Sequence, residues 1–224
     1  MKKLLASLFL LTAMGTQAQT NLQVHYDFGQ NRKYVTTTLE MFKADKWGNT
    51  FFFADMDYNY GADKHPGLAY LEIARCINTW GGPISAQIEY NGGLGAGPGY
   101  SYPINSSWLF GADYFMHSAD FSKTLNLKAL YKQIVGKQAS AQLTAVWGMQ
   151  LMKGKVSFTG FADIWLEDKT FGLNKTQTIF ISEPQLWYNF NEHLSAGGEV
   201  ELANNFGSTE GFMVNPTLAL KWNF

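Results

Sequence analysis

The chain has 224 residues, a formal net charge of −1, 22 glycines and 6 prolines, and aromatic residues make up 16% of it. A balance this close to neutral excludes a general nucleic-acid binder, so we expect no nucleic-acid partner. The only cysteine, Cys76, excludes an internal disulfide.

The first residues predict a secretory signal peptide over residues 1–18. A basic start at Lys2 and Lys3 precedes a short apolar run and small residues that are typical of a cleavage site. The apolar run is too short for a membrane-spanning helix, and no longer run follows it. Cleavage after Ala18 leaves a single mature domain over residues 19–224. Its 15 basic and 18 acidic residues give a net charge of −3.

The mature chain alternates between apolar and polar residues in segment after segment, which is the period of a β-strand. Twelve strands are predicted, over residues 22–28, 34–43, 50–60, 68–77, 84–91, 108–116, 125–131, 139–151, 156–166, 176–189, 194–203 and 212–224. Pro184 interrupts the tenth strand and predicts a bulge there. Glu72 and Arg75 in the fourth strand cannot share a face without a bulge, so its register stays open. The glycine-rich stretch 92–105 is expected to be a long loop that could fold into the lumen, and residues 167–175 are expected to form another loop.

One face of these strands carries nearly all of the charge. Its ionisable residues are Asp27, Glu40, Asp55, Asp57, Glu89, Asp113, Asp163, Glu199, Glu201, Lys128 and Lys221. A dry core cannot hold so many carboxylates, whereas a wet lumen can. The sequence therefore predicts an all-β fold, an antiparallel transmembrane β-barrel of about 12 strands in a bacterial outer membrane. The alternative is a β-sandwich with a solvated acidic face.

Aromatic residues mark the edges of this predicted barrel. Five tryptophans lie near strand ends, where an aromatic girdle is expected: Trp47, Trp80, Trp108, Trp187 and Trp222. The chain itself ends on Trp222 and Phe224, both on the apolar face of the last strand. A terminal Phe of this kind resembles the signal that the barrel-assembly machinery reads. That machinery and outer-membrane lipid are therefore the expected partners, with both termini on the periplasmic side.

Several stretches resemble the nucleoside-specific channel-forming proteins of the outer membrane (Tsx-type). They are Leu39–Asp55 (LEMFKADKWGNTFFFAD), Leu71–Arg75 (LEIAR), Gly160–Asp163 (GFAD) and the Trp-Asn-Phe ending. The first stretch is the most specific, and this chain differs mainly in its shorter loops. The resemblance implies a twelve-stranded barrel with a narrow lumen that binds and passes nucleosides.

The inward face also combines aromatic rings with acids. The residues expected to contact a solute are Phe51, Phe53, Asp55, Asp57, Glu89, Asp113, Phe115, Phe161, Asp163, Trp165, Glu199 and Glu201. Aromatic faces stack on rings, and carboxylates accept hydrogen bonds from hydroxyls and amines. This lining predicts a diffusion channel for neutral or cationic ring compounds rather than phosphorylated ones. No cofactor is expected. A hard cation at Asp55 and Asp57 is a weaker interpretation, since acidic pairs are usually just solvated.

Two alternatives stay open at this point. A lumen crowded with Phe and Trp predicts a plugged structural or partner-binding barrel. An outer-membrane lipid hydrolase would need a serine beside a histidine, as at His117–Ser118 or at His193 and Ser195. No Gly-x-Ser-x-Gly motif is present, so we expect no enzyme.

The cleavage site is directly testable. We expect the protein purified from membranes to begin at Gln19, because the small residues before that position suit signal peptidase. N-terminal sequencing or intact-mass measurement reads this out. A mature chain that retains Lys2 and Lys3 would contradict the prediction.

Overall fold

The structure is a computed structural model that describes residues 18–30, 32–58 and 66–224. Most of the predicted signal peptide, residues 1–17, lies outside the described residues, as does the 59–65 stretch after the third strand. The strands are β1 (Gln19–Asp27), β2 (Val35–Asp45), β3 (Gly48–Tyr58), β4 (Pro66–Ile77), β5 (Ile84–Gly97), β6 (Tyr100–His117), β7 (Lys123–Ile134), β8 (Ser140–Leu151), β9 (Val156–Phe171), β10 (Asn174–Ser182), β11 (Gln185–Asn189), β12 (Leu194–Asn204) and β13 (Phe212–Asn223). A 3₁₀ turn, Met152–Gly154, joins β8 to β9. In the described part of the chain, no helix has the length and apolar character needed to cross a membrane.

The sheet closes on itself through its first and last strands. Antiparallel β1 and β13 pair from Asn21 with Asn223 to Asp27 with Thr217. The Phe224 amide then donates to the Thr20 carbonyl at 3.0 Å. Closure removes the open sheet edge, which lipid cannot hydrate. The predicted all-β, antiparallel transmembrane barrel is confirmed.

Two of the strands act as one barrel-crossing strand. Both β10 and β11 pair with β9 on one side and with β12 on the other. The break falls at Glu183 and Pro184, where the Glu183 amide donates to the Phe161 carbonyl and the Val200 amide to the Pro184 carbonyl. The described chain therefore crosses twelve times, and the predicted interruption at Pro184 is confirmed. Proline has no N–H to give to a ladder, which is why the pairing lapses there.

The barrel is polar inside and apolar outside. In β1, Gln23 and His25 face inward and are 1% and 2% exposed, whereas Val24 and Tyr26 face outward and are 43% and 40% exposed. Among the described residues, 17 buried polar or charged residues outnumber 10 buried hydrophobic ones. A soluble barrel has the opposite arrangement, so the outer face is the one that meets lipid.

Two predicted loops are in fact long hairpins. Strands β5 and β6 continue to Gly97 and Tyr100, and β9 and β10 continue to Phe171 and Asn174. The glycine-rich stretch is therefore not a loop in the lumen, which corrects the prediction. Tyr102 and Tyr100 lie opposite Gly95 and Gly97, and their rings cover the space that a Cβ would occupy. An aromatic residue across from a glycine restores the packing that a strand glycine lacks.

Two other details of side-chain placement emerge. Glu72 faces inward and Arg75 outward on an unbroken β4 ladder from Leu68 to Ile77, which settles the open register. Trp187 faces inward and is 0% exposed, so its predicted place in the girdle is wrong. Its indole donates to Gln185, and Lys221 Nζ lies 3.9 Å from the ring centroid.

Both termini lie at one end of the barrel. We call this the terminal end. Of the connections that the structure describes, the opposite end, which we call the loop end, carries β1–β2, β5–β6, β7–β8, β9–β10 and β12–β13.

Adjacent positions on β8 test which face meets the lipid. Ala145 faces outward opposite Ala162, and Val146 faces inward opposite Phe161. Ala145→Lys is expected to lower the free energy of unfolding in phospholipid vesicles by about 2–4 kcal/mol, because it places a charge in the hydrocarbon. Val146→Lys, the matched control in the lumen, is expected to cost less than about 1 kcal/mol. Urea titration followed by tryptophan fluorescence measures both. Equal losses for the two variants would contradict the assigned faces.

Candidate functional site in the barrel lumen

The structure places all twelve predicted solute-contact residues on the inward face. Cross-strand register establishes this, since inward residues pair with inward residues around the ring. They fall into two polar groups, an aromatic row and an apolar cluster.

The first polar group, which we call the loop-end acidic group, consists of Asp27, Asp55, Asp57, Glu183, Glu199 and Glu201. Neutral side chains hold several of these carboxylates. Thr38 and Thr36 donate to Asp55 and Asp57, each at 2.6 Å, and Gln185 donates to Glu199 at 2.9 Å. Glu183 interacts electrostatically with Asp55, Glu199 and Glu201. Acidic side chains from β3, β12 and the β10–β11 break are thus close enough to interact electrostatically.

Two residues of the β1–β2 connection join this group. Arg32 forms ion pairs with Asp27 at 3.1 Å and Glu201 at 2.7 Å. Tyr34 interacts electrostatically with Asp57. Burial, followed by the nearby charge of Asp57, raises the pKa of Tyr34 above its ordinary value, so its hydroxyl stays neutral.

The second polar group, which we call the mid-lumen group, consists of Glu72, Glu89, Asn91, Ser107, Asp163, Lys128 and Lys132. Glu72 lies opposite Asn91, which lies opposite Ser107. Asp163 reaches this group from β9 and interacts electrostatically with Glu89 and both lysines. Acids of β4 and β5 therefore face an acid of β9 across a narrow lumen.

Three buried polar atoms in the mid-lumen group have no hydrogen-bond partner: Asn91 Oδ1, Ser107 Oγ and Asp163 Oδ1. Asn91 is 8% exposed and Ser107 is 5% exposed. A buried polar atom without a partner is costly, and native structures normally satisfy such atoms with protein or water. Two of the three atoms accept hydrogen bonds only, so a donor-bearing molecule suits them.

An aromatic row lies between the two polar groups. Phe51 and Phe53 have ring centroids 6.1 Å apart, and Phe53 and Tyr70 have centroids 6.0 Å apart. Tyr70 lies opposite Asp55, and Phe53 lies opposite Glu72. Two of these rings thus lie directly across the ladder from a carboxylate, a combination that can bind a polar ring compound.

The other predicted aromatic residues are used for packing. Phe161 and Trp165 belong to an apolar cluster inside the barrel, with Ile179, Ile181, Ala203, Phe206 and Met213. Lys132 Nζ lies 3.9 Å from the Trp165 ring centroid, and Phe206 meets that ring edge to face. Phe115 stacks on His117 near the terminal end, far along the wall from this cluster.

Several lumen residues were absent from the sequence prediction. Glu72 was missed because its strand had an open register, and Glu183 because it sits in a break. Arg32 lies in a turn, where no alternation signals an inward direction. Asn91, Ser107 and Lys132 fit the strand period, but polar residues of these types occur on every lumen wall.

Neither hydrolase candidate has the required geometry. Ser118 donates to Asp120 at 2.6 Å rather than to a histidine, and His117 Nδ1 contacts the Ser118 carbonyl. Hydrogen bonds from Ser118 and Ser122 lower the pKa of Asp120 to about 2, so this carboxylate anchors a turn. His193 contacts the Asn223 carbonyl and stacks on Trp222. Among the described residues, no three His, Cys, Asp or Glu side chains come together as a metal site.

Comparisons with known proteins agree with this architecture. A family model described as a domain of unknown function (DUF5020) matches residues 18–224. A sequence comparison with curated proteins finds no match. A NanC porin structure is similar at 7% identity over 92% of this chain and 100% of that chain, with a TM-score of 0.59. A KdgM porin is similar at 7% identity over 91% and 99% of the two chains, with a TM-score of 0.51. At such low identity these likenesses establish the porin-type barrel fold alone.

The packing of the lumen wall near Cys76 can be tested by thiol labelling. Cys76 is 2% exposed, and its Sγ lies 3.3 Å from Gln87 Oε1. We expect a charged maleimide to leave the folded barrel unlabelled and to react after unfolding in urea, because the thiol is packed against the wall. Intact mass measures the labelling. A Cys76→Ala/Ser101→Cys variant, with its thiol on an exposed hairpin position, is the control and should react in the folded state. Rapid labelling of folded wild type would contradict the packing.

Proposed function

The chain belongs to the DUF5020 family, and we propose that it is an outer-membrane channel through which small, donor-rich polar solutes diffuse, with nucleosides as the substrate class. The observation that carries this proposal is the set of unpartnered polar atoms in the mid-lumen group, Asn91 Oδ1, Ser107 Oγ and Asp163 Oδ1. A lumen that admits water and solute supplies their missing hydrogen bonds.

We place the protein in the bacterial outer membrane because of its outer surface. The apolar outer face suits lipid, and export there agrees with the signal peptide predicted over residues 1–18. In the outer membrane, the terminal end faces the periplasm and the loop end faces the exterior. Phe224 is 71% exposed on the outer face, where the assembly machinery is proposed to read it.

The proposed substrate class is inferred from the lining. The aromatic row offers rings for stacking, and the neighbouring carboxylates accept hydrogen bonds from hydroxyls and amines. A nucleoside has a flat ring and a sugar diol, whereas a nucleotide adds a phosphate that the acids repel. Sites that bind weakly and in series permit both entry and exit. The Tsx-type resemblance points to the same substrates.

A plugged barrel without transport is the second candidate, and the apolar cluster favours it. Ile179 and Ala203 are 0% exposed although they face inward. Side chains thus fill part of the lumen between β9, β10 and β12. The cluster occupies one wall, whereas the unpartnered atoms of Asn91 and Ser107 lie on β5 and β6.

Solute entry into liposomes that contain the refolded protein tests the proposal. We expect a nucleoside to enter faster than a sugar of similar size and much faster than its nucleotide. Ser107→Ala is expected to slow nucleoside entry about two- to tenfold, because one hydrogen bond contributes about 0.5–1.5 kcal/mol. Ser101→Ala, the same change on the exposed hairpin of the same strand, is the control. Asp55→Asn and Phe53→Leu test the acidic and aromatic positions in the same assay.

The outcomes separate the candidates. Equal entry of all three solutes would indicate a general pore and contradict the substrate class. No entry of any solute into liposomes that contain correctly folded protein would favour the plugged barrel. Normal entry in the Asp55 and Phe53 variants would contradict the roles assigned to those two side chains.

A further inference from the structure

We infer that Arg32 sets the charge selectivity of the loop end of the lumen. This inference rests on the proposed function, because selectivity requires a lumen that conducts. It concerns a residue of the β1–β2 connection that lies outside the aromatic row and the mid-lumen group.

The guanidinium of Arg32 hydrogen-bonds to two carboxylates. Nη2 donates to Glu201 Oε1 at 2.7 Å, and Nη1 donates to Glu201 Oε2 and to Asp27 Oδ2, each at 3.1 Å. This is the two-point geometry in which an arginine holds a carboxylate most firmly. Asp27 is 4% exposed and Glu201 is 9% exposed, so the pairs are shielded from bulk water.

The backbone holds Arg32 in this place. Its amide donates to the Gly29 carbonyl, and the Lys33 amide donates to the Asp27 carbonyl, each at 3.1 Å. Lys33 adopts a positive φ of 63°, which turns the chain back into β2. A Cβ at Gly29 would come too close to the side-chain ends of Asn215 and Asp27, so any other residue there would displace them. The backbone of the turn therefore holds Arg32 in place at the loop end.

Acidic side chains outnumber basic ones around Arg32. The loop-end acidic group has six carboxylates, and Arg32 is the cation that interacts with Asp27, Asp57, Glu183 and Glu201. His25 lies 3.8 Å from Glu199 on the side nearer the terminal end. Lys33, next to Arg32, points to solvent. Removing one positive charge from this set therefore changes the local field substantially.

Arg32 keeps its charge under all working conditions. Burial alone lowers its pKa, but the charge and hydrogen bonds of Glu201 outweigh this and raise the pKa above the ordinary arginine value. The positive charge of Arg32 offsets part of the negative charge of the neighbouring acids. The loop end therefore attracts cations less strongly, and neutral solutes can compete with them for entry.

Reversal potentials in planar bilayers under a KCl gradient test this role. We expect Arg32→Gln to raise the permeability ratio of K⁺ to Cl⁻ about fivefold, because the acids lose their counter-charge. Arg32→Lys keeps the charge and should stay close to wild type. Arg75→Gln is the matched control, since Arg75 pairs with Asp45 outside the lumen.

A second variant acts in the opposite direction and does not remove Arg32. Glu201→Gln deletes one acid and should lower the K⁺ to Cl⁻ ratio by a similar factor. It keeps the inference testable should Arg32→Gln fail to fold, which heat-dependent migration on gels detects.

The result that overturns the inference is also defined. Wild-type selectivity in a conducting Arg32→Gln or Glu201→Gln barrel overturns it alone and leaves the solute channel standing. A folded wild-type barrel that neither conducts ions nor admits any solute overturns the proposed function, and this inference with it.

Discussion

The pairing of β1 with β13 is the constraint on which the rest of this molecule depends. Lipid offers no hydrogen bonds, so each N–H and C=O group in the membrane must find a partner on a neighbouring strand. A row of residue pairs from Asn21 with Asn223 to Asp27 with Thr217 supplies those partners at the seam. Once the ring is closed, alternation leaves each strand one face for lipid and one for the lumen. The break at Pro184 is tolerated because β10 and β11 share the same two neighbours.

Polar side chains in the lumen mostly hydrogen-bond to side chains on neighbouring strands. Thr36 and Thr38 donate to Asp57 and Asp55, which lie directly across the β2–β3 ladder. Lys132 of β7 donates to Gln142 of the neighbouring β8 at 2.6 Å. Such pairs cost little ordering because both side chains stand on rigid strands. The atoms left without a partner are therefore informative, since the fold satisfies so many of their neighbours. Three of them, on Asn91, Ser107 and Asp163, lie on the inward faces of β5, β6 and β9.

The lumen thus has three regions of different character. Arg32 and six carboxylates form a charged mouth at the loop end, an apolar cluster around Trp165 and Ile179 fills one wall, and an aromatic row leads to the mid-lumen group. The substrate class proposed above, neutral ring compounds, is consistent with this order, because such a solute loses little hydration free energy at the loop end and meets rings and acceptors further in. The porin-type barrel provides the frame, and the side chains of this chain decide what the frame admits.

The sequence by itself determined the fold class, the twelve crossings, the break at Pro184 and the inward face of all twelve predicted site residues. It did so because a strand has period 2, and a membrane barrel keeps opposite chemistry on its two faces. It did not determine how far the β5–β6 hairpin extends, since the glycine-rich stretch signals a loop. The structure shows that Tyr102 and Tyr100 cover Gly95 and Gly97 and let the strands continue. Nor did it place Trp187 inside, because an indole suits an interface as well as a lumen. Only the tertiary structure brought Asp163 within electrostatic range of Glu72 and placed Arg32 on Glu201. Those contacts join residues far apart in the chain across a curved wall, and no local pattern encodes the distance between them.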